Sequence, residues 1–376
     1  MTAGKLSALP PISFAPQDTV AIERDVLGSY ERITQQTLYP GVPERLMCEA
    51  LAYREAVVNS TIDLAGKMSL LAFARGEHLD HLGAFMGVYR LTPAPARTSL
   101  RFALAEPLAF AVPIPKGVRV TSRDGEIAFA TAFDAVIPAG ELEVAVTAIA
   151  LEPGAAGNGL VAGQVNSLVD RLPYIAEVGN AAVTLGGSDA EGDEHFRERI
   201  HLAPESYSNA GSEGAYRFHV LSVHADIVAV AVDTPEPGVV DVRPVLTGGE
   251  LPDATLLDLV RDKLSERDVR PLTDKVLVAA PDPVEYAVSG GWHLRRANAT
   301  LLASVTAAVA QALETYRLWQ RCEPGRDVNP TRLISLVEQA GAKRVELEQP
   351  AFTPLSRVQI ARESRLDLRF AGVEDE

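Results

Sequence analysis

Hydrophobic and polar positions alternate with two different periods along this chain, and the points where the period switches divide it. From Asp18 to Gly87 the apolar residues recur at helical spacing. Asp18 or Thr19 is placed to cap a first helix whose apolar positions are Val20, Ile22, Val26, Leu27 and Tyr30. Pro40-Gly41-Val42-Pro43 interrupts the pattern. A long amphipathic helix is predicted over about Glu44 to Ala74, with Leu46, Leu51, Val57, Val58, Ile62, Leu64 and Leu71 among its apolar residues and Gly76 as its terminator. A short helix is predicted from His78 to Met86. Before all of these, Pro10, Pro11 and Pro16 point to an extended arm that orders only against something else.

After the Thr92-Pro93-Ala94-Pro95-Ala96 linker the period drops to two. SLRFAL, VRVTS, IAFATAFDAVI and LEVAVTAIAL read as strands, punctuated by turns at Pro113 to Gly117 and Arg123-Asp124-Gly125, with a glycine-rich loop from Gly154 to Gly163. Short strands so spaced predict a β-sandwich or barrel. Helical patterns return over 186–225. Ser188 or Asp189 is expected to cap a helix running to about Leu202, with Pro204 stopping it, and a second helix is expected from Gly211 to His224.

Strands are predicted at Ile227 to Val232, Val239 to Leu246, Lys275 to Ala279, Val284 to Leu294 and Val345 to Leu347. Helices are predicted at Thr255 to Arg267, at 298–320 and at Pro330 to Ala340. The fold expected is multidomain α+β: an N-terminal helical segment, a central β-sandwich or barrel-like domain, and small C-terminal α+β domains. The divisions expected are an arm at 1–20, a helical segment at 21–92, a β-rich domain at 93–185, a helical middle at 186–225, an α+β part at 226–350 and a tail at 351–376.

Composition narrows the partners. The 376 residues are 47% hydrophobic and 23% charged, as in a folded soluble protein long enough to bury real cores. Thirty-five Lys and Arg stand against 50 Asp and Glu, a formal net charge of -15. So acidic a surface repels phosphate backbones and anionic lipid, and neither nucleic acid nor a membrane is expected as partner. No basic segment leads into an apolar run at the start, so no signal peptide is expected, and no transmembrane run is seen. Two cysteines make no disulfide framework, which suits a reducing compartment.

The candidate chemistry is thin. His78 and His81 share a helix face with Asp80 and Glu77 nearby, but the spacing is not H-E-x-x-H and no further ligands follow. In Ser188 to Glu194 the acids lie at the wrong positions for a calcium loop, with glycine at 192. His195, His201, His219 and His224 are scattered. Gly154 to Gly159 lacks the Lys-Ser/Thr of a phosphate loop, neither Cys48 nor Cys322 sits in a nucleophile motif, and G-x-S-x-G is absent. No catalytic, cofactor-binding or metal-ligating residue is assigned.

Several segments in order resemble one family. Ala74 to Gly83, Gly87 to Arg90, Pro113 to Val120, Phe129-Ala130-Thr131 and Pro153 to Asn158 are similar to the baseplate J-like proteins of contractile phage tails. So are Gly186-Gly187-Ser188-Asp189-Ala190-Glu191-Gly192-Asp193-Glu194-His195-Phe196-Arg197-Glu198-Arg199-Ile200, Pro235 to Val240 and Arg270 to Val276. The resemblance covers about residues 70–350. It implies a structural baseplate wedge subunit, dimerising within a wedge and joining wedges into a ring around the hub. Its implied partners are itself, the wedge partner carrying fibre attachments and a small protein connecting sheath and tube. It implies no enzyme activity, no cofactor, and a place in the tail baseplate after assembly in the bacterial cytoplasm. Two alternatives from other classes are a glycan-binding or glycan-cleaving tail protein, for which Trp292 and Trp319 are the only tryptophans, and a metal-dependent hydrolase using His78, Asp80 and His81.

Overall fold

The computed structural model describes residues 6, 9–206, 211–266, 269–271 and 273–375. Two compact units are present, Met1–Arg90 with Phe196–His201, and Leu91–His195 with Leu202–Glu376.

The first unit is helical: α1 (Thr19–Thr34), α2 (Pro43–Met68) and α3 (Glu77–Phe85). Asp18 caps α1, its carboxylate accepting from the Val20 and Ala21 amides. Pro43 opens α2 at a position where a missing N–H costs nothing. The arm over 9–17 lies against α2 of its own chain. Phe14 stacks its ring where a Gly66 side chain would stand, and its amide donates to Asp63 Oδ1 at 2.9 Å. The rest of that expected arm, residues 1–5, 7 and 8, lies outside the described residues. α2 ends at Met68 rather than Ala74, because the Ser69 amide turns back to the Gly66 and Lys67 carbonyls. Gly76, with φ at 51°, begins α3 instead of ending α2.

In the second unit β1 (Arg97–Leu104), β3 (Arg119–Ser122), β4 (Ala128–Thr131), β6 (Glu143–Ala150), β7 (Val165–Leu168) and β8 (Ile175–Asn180) form a sheet in the order β7-β3-β4-β6-β1-β8. β2 (Val112–Ile114) and β5 (Ala135–Ile137) pair separately. The period-two pattern sends Leu100, Phe102, Val120, Phe129, Val146 and Ala148 inward with Ile114 and Ile137, making one core. The sheet curls into a nearly closed barrel. Asn180 of β8 joins its far edge, taking the Val165 amide of β7 on Oδ1 and giving Nδ2–H bonds to the Leu160, Val161 and Ala182 carbonyls.

α4 (Asp193–Ser206) and α5 (Glu213–Leu221) follow. α4 begins four residues after the expected cap, and Pro204 lies inside it rather than stopping it. β9 (Ile227–Glu236) and β10 (Val239–Leu246) form a hairpin, and β11 (Lys275–Val278) joins β10 in parallel. α5 and α6 (Ala254–Ser265) cover this sheet around Tyr216, Val220, Val242, Val260 and Leu264. Arg267, the expected end of α6, is outside the described residues. The last sheet has the order β13-β12-β14, from β12 (Asp282–Arg295), β13 (Arg344–Gln349) and β14 (Gln359–Glu374). α7 (Leu302–Arg321) buries Val305, Val309, Ala312 and Tyr316 at helical spacing, and α8 (Pro330–Gln339) buries Leu333 and Val337, against Val288, Trp292 and Leu294. The stretch expected as a tail therefore holds a sixteen-residue strand. Leu366, Leu368 and Phe370 alternate with Arg365, Asp367 and Arg369, a period-two pattern that marks it.

Candidate assembly interface

α2 is built inside out. Its inward positions are small or polar: Cys48, Ala52 and Asp63 are buried, and Arg45, Glu49, Ala56, Asn59 and Gly66 are half-buried. Polar bonds hold this side. Arg45 pairs with Glu49 at 2.7 Å, Lys67 with Asp63 at 2.6 Å, and Gln17 Nε2 donates to the Asn59 carbonyl. The Lys67 ammonium, helped by the Phe14 amide, holds the Asp63 carboxyl below its ordinary value.

The large apolar residues point away. Leu46, Met47, Leu51, Tyr53, Val57, Val58, Ile62 and Leu64 keep from 41% to 69% of their surface exposed. They form two adjoining stripes. Leu46, Ala50, Tyr53, Val57, Ser60 and Leu64 follow one another at steps of four, three, four, three and four, the spacing of a coiled-coil seam. Met47, Leu51, Val58 and Ile62 lie beside it. Soluble monomers rarely leave so continuous an apolar face in water. Phe85 of α3, 88% exposed, and Tyr89 add to the uncovered apolar surface of this unit.

The signature stretch around residue 190 proves to be a clasp. Ser188 exchanges backbone hydrogen bonds with Ala94, and Glu191 ties to Leu91 twice, through its own amide and through Oε2. Asn158 grips Gly187 from both sides, Nδ2–H to its carbonyl at 2.7 Å and Oδ1 from its amide at 2.8 Å. Asp189, expected as a cap, accepts the Ala155 amide instead. These bonds explain why α4 starts late: the backbone before it is engaged with the strand and loop around it. His195 bridges Glu191 through Nδ1 and the Ile227 carbonyl through Nε2 at 2.7 Å. Further on, the Phe196 ring packs on Gly83 and under the Arg90 guanidinium. Buried Arg197 donates to the Leu71 and Ala74 carbonyls, and buried Arg199 to that of Tyr89. A helix-to-helix turn is thus held by side chains that satisfy its carbonyls.

The other candidate residues take structural places. Asp80 pairs with Arg90 at 2.7 Å, while His78 and His81 are exposed on α3. His224 Nδ1 accepts the Asp226 amide, and burial raises the Asp226 carboxyl above its ordinary value. Among the described residues no group of three His, Cys, Asp or Glu side chains is arranged to hold a metal ion, and no helix is long and apolar enough to cross a membrane. Cys48 is buried and Cys322 half-buried, with burial pushing the Cys322 thiol up, away from nucleophile chemistry. Trp292 lies in the core and Trp319 is covered by Arg326, so neither offers an open stacking surface. Sequence periodicity found Leu46, Leu51, Val57, Val58, Ile62 and Leu64 as apolar positions of α2 but neither their division into two stripes nor their outward direction, since a helical wheel does not say which side the rest of the chain occupies.

Comparison with known proteins agrees along most of the chain. Four consecutive segments match the domains of one family: its N-terminal domain at 43–97, barrel domain at 99–187, central domain at 208–280 and C-terminal domain at 293–368. The chain belongs to the baseplate J-like family. It is 31% identical to "Baseplate protein J" of Escherichia phage P2 over 198 residues, 52% of this chain and 64% of that protein, so the match spans less than two thirds of the relative's length. A chain in a cryo-EM structure of the anti-feeding prophage baseplate is similar at a TM-score of 0.46 and 13% identity, covering 92% of this chain and 90% of that one. The clasp from Gly186 to Gly192 starts in the last two residues of the family's barrel domain and runs on before its central domain, and the outward face of α2 lies within its N-terminal domain.

Proposed function

We propose that this chain is a structural wedge subunit of the baseplate of a contractile tail or related injection particle, working by large docking surfaces rather than by a reacting centre. Membership of the baseplate J-like family supports the setting, and the uncovered apolar face of α2 is the observation that carries the mechanism. In this reading α2 docks into a helical bundle within the wedge, with a second copy and with other wedge proteins, including the fibre-attaching partner and the small protein that connects sheath and tube. The C-terminal α+β domains join wedges into the ring around the hub, and the ring transmits the trigger for sheath contraction. The working divisions are an arm (1–20), the helical docking segment (21–92), the barrel (93–185), the helical middle (186–225), the ring-forming α+β part (226–350) and the closing segment (351–376). Assembly takes place in the bacterial cytoplasm, before the particle is complete.

The physical basis is differential burial. A helix whose small and polar side faces its own chain gains little from folding alone, and its apolar side gains from a partner helix. Deleting residues 1–87 should abolish wedge assembly, scored by co-purification of wedge proteins from an expression host. The barrel should still unfold cooperatively. A truncated chain that still assembles wedges refutes the assignment.

A further inference from the structure

β14 has one hydrogen-bonded neighbour, β12, and is the edge of its sheet for sixteen residues. At about 3.3 Å per residue this edge is about 50 Å long, and a bare edge of that length is a template for a further strand. No described strand pairs with its other side. The charges along it select what fits.

The register against β12 slips once between Glu363 and Arg365 and once between Phe370 and Gly372. Followed through both bulges, Leu366, Leu368 and Phe370 stand beside Val288, Gly290 and Trp292 on the core side. Arg362, Arg365, Asp367, Arg369, Gly372 and Glu374 then occupy the other face. The Arg365 and Arg369 side chains are 64% and 74% exposed, flanking Asp367.

Opposed residues of an antiparallel pair share a face, and a two-fold interface sets each strand against its own reverse. With the axis at Leu368, Asp367 faces the second copy's Arg369, Arg362 faces its Glu374, and Arg365 faces its Gly372. Each ion pair occurs twice. Moving the axis to Asp367 or Arg369 sets that residue against itself, and moving it to Leu366 sets Arg362 against Arg369. An axis at Phe370 sets Asp367 against Glu374, so among axes from Arg362 to Phe370 only that at Leu368 pairs these positions without a like-charge encounter.

We propose that β14 pairs antiparallel with β14 of a second copy about an axis through Leu368, joining two three-stranded sheets into one of six. The contact rests on the wedge reading, giving a strand and a register to its joining of C-terminal α+β domains between copies, and it is separate from the α2 face.

The test uses the full chain with Leu46→Ser, Tyr53→Ser and Leu64→Ser, so that helix docking is not read. Sedimentation velocity over a concentration series should show a dimer. Asp367→Arg should weaken it at least about tenfold, since two attractive encounters become repulsive. Asp367→Arg combined with Arg369→Asp, which exchanges the two charges, should restore it. A chain monomeric throughout, a dimer indifferent to Asp367→Arg, or a double exchange that weakens it as much as the single reversal overturns the proposal. Wedge co-purification with the α2 face intact reports on the proposed function independently of this result.

Discussion

Making the seam of α2 polar should uncouple assembly from folding. Leu46, Tyr53 and Leu64 are 56%, 68% and 57% exposed, so over half of each side chain gains nothing from the chain's own fold. Fully burying a large apolar side chain contributes about 1.5–3 kcal/mol, so the part left for a partner is about 1–1.5 kcal/mol each. Three such positions amount to about 3–4 kcal/mol, a loss of at least about a hundredfold in affinity. The triple variant Leu46→Ser, Tyr53→Ser, Leu64→Ser should therefore keep its melting temperature within about 3 °C of the parent by circular dichroism, because substitutions at such surface positions cost little. Co-purification of wedge proteins should fall to background. A variant that melts far lower would mean that the face is needed for the fold itself. One that assembles normally would mean that this seam is not the docking surface. Either result refutes the reasoning.

Two further outcomes follow from the same structure. Gly83→Ala should destabilise the helical unit by about 1–3 kcal/mol, because an added Cβ would collide with the Phe196 ring and lie 2.8 Å from the Val88 carbonyl oxygen; denaturant unfolding followed by tyrosine and tryptophan fluorescence measures it. Asp170 is held at about 2, from an ordinary 3.8, by the Arg119 guanidinium and amide, which tie β3 to the residues just after β7. Its folded value is depressed, so its stabilisation is complete above 3.8 and is lost as the pH falls from there toward 2. Asp170→Asn should shrink the difference between melts recorded at about pH 5 and about pH 2.5; an unchanged difference rejects the tie.

Much of the local structure was legible because it is set by near neighbours. The Asp18 cap, the turns at Pro113 to Gly117 and Arg123-Asp124-Gly125, the period-two runs of β1 and β6 and the spacing of Val305, Val309, Ala312 and Tyr316 are all written within a few residues of where they act. The readings that missed depended on distant residues. Ser188 and Asp189 have the chemistry of helix caps, but Ala94 and Ala155 claim them first. Pro204 has the chemistry of a stop, yet the helix continues through it to Ser206. Asn180 has no local motif, and only barrel closure places it where it satisfies an amide and three carbonyls.

The amino-acid order by itself determined which residues share a face and roughly where helices and strands begin, since both periods are properties of a single segment. Tertiary structure alone decided which face looks inward. In α2 the small, polar side meets the arm and α1, and the large apolar side is left over. In the last segment a strand with ordinary alternation became a sheet edge. Burial depends on what the rest of the chain occupies, and that is settled by contacts between residues far apart in sequence.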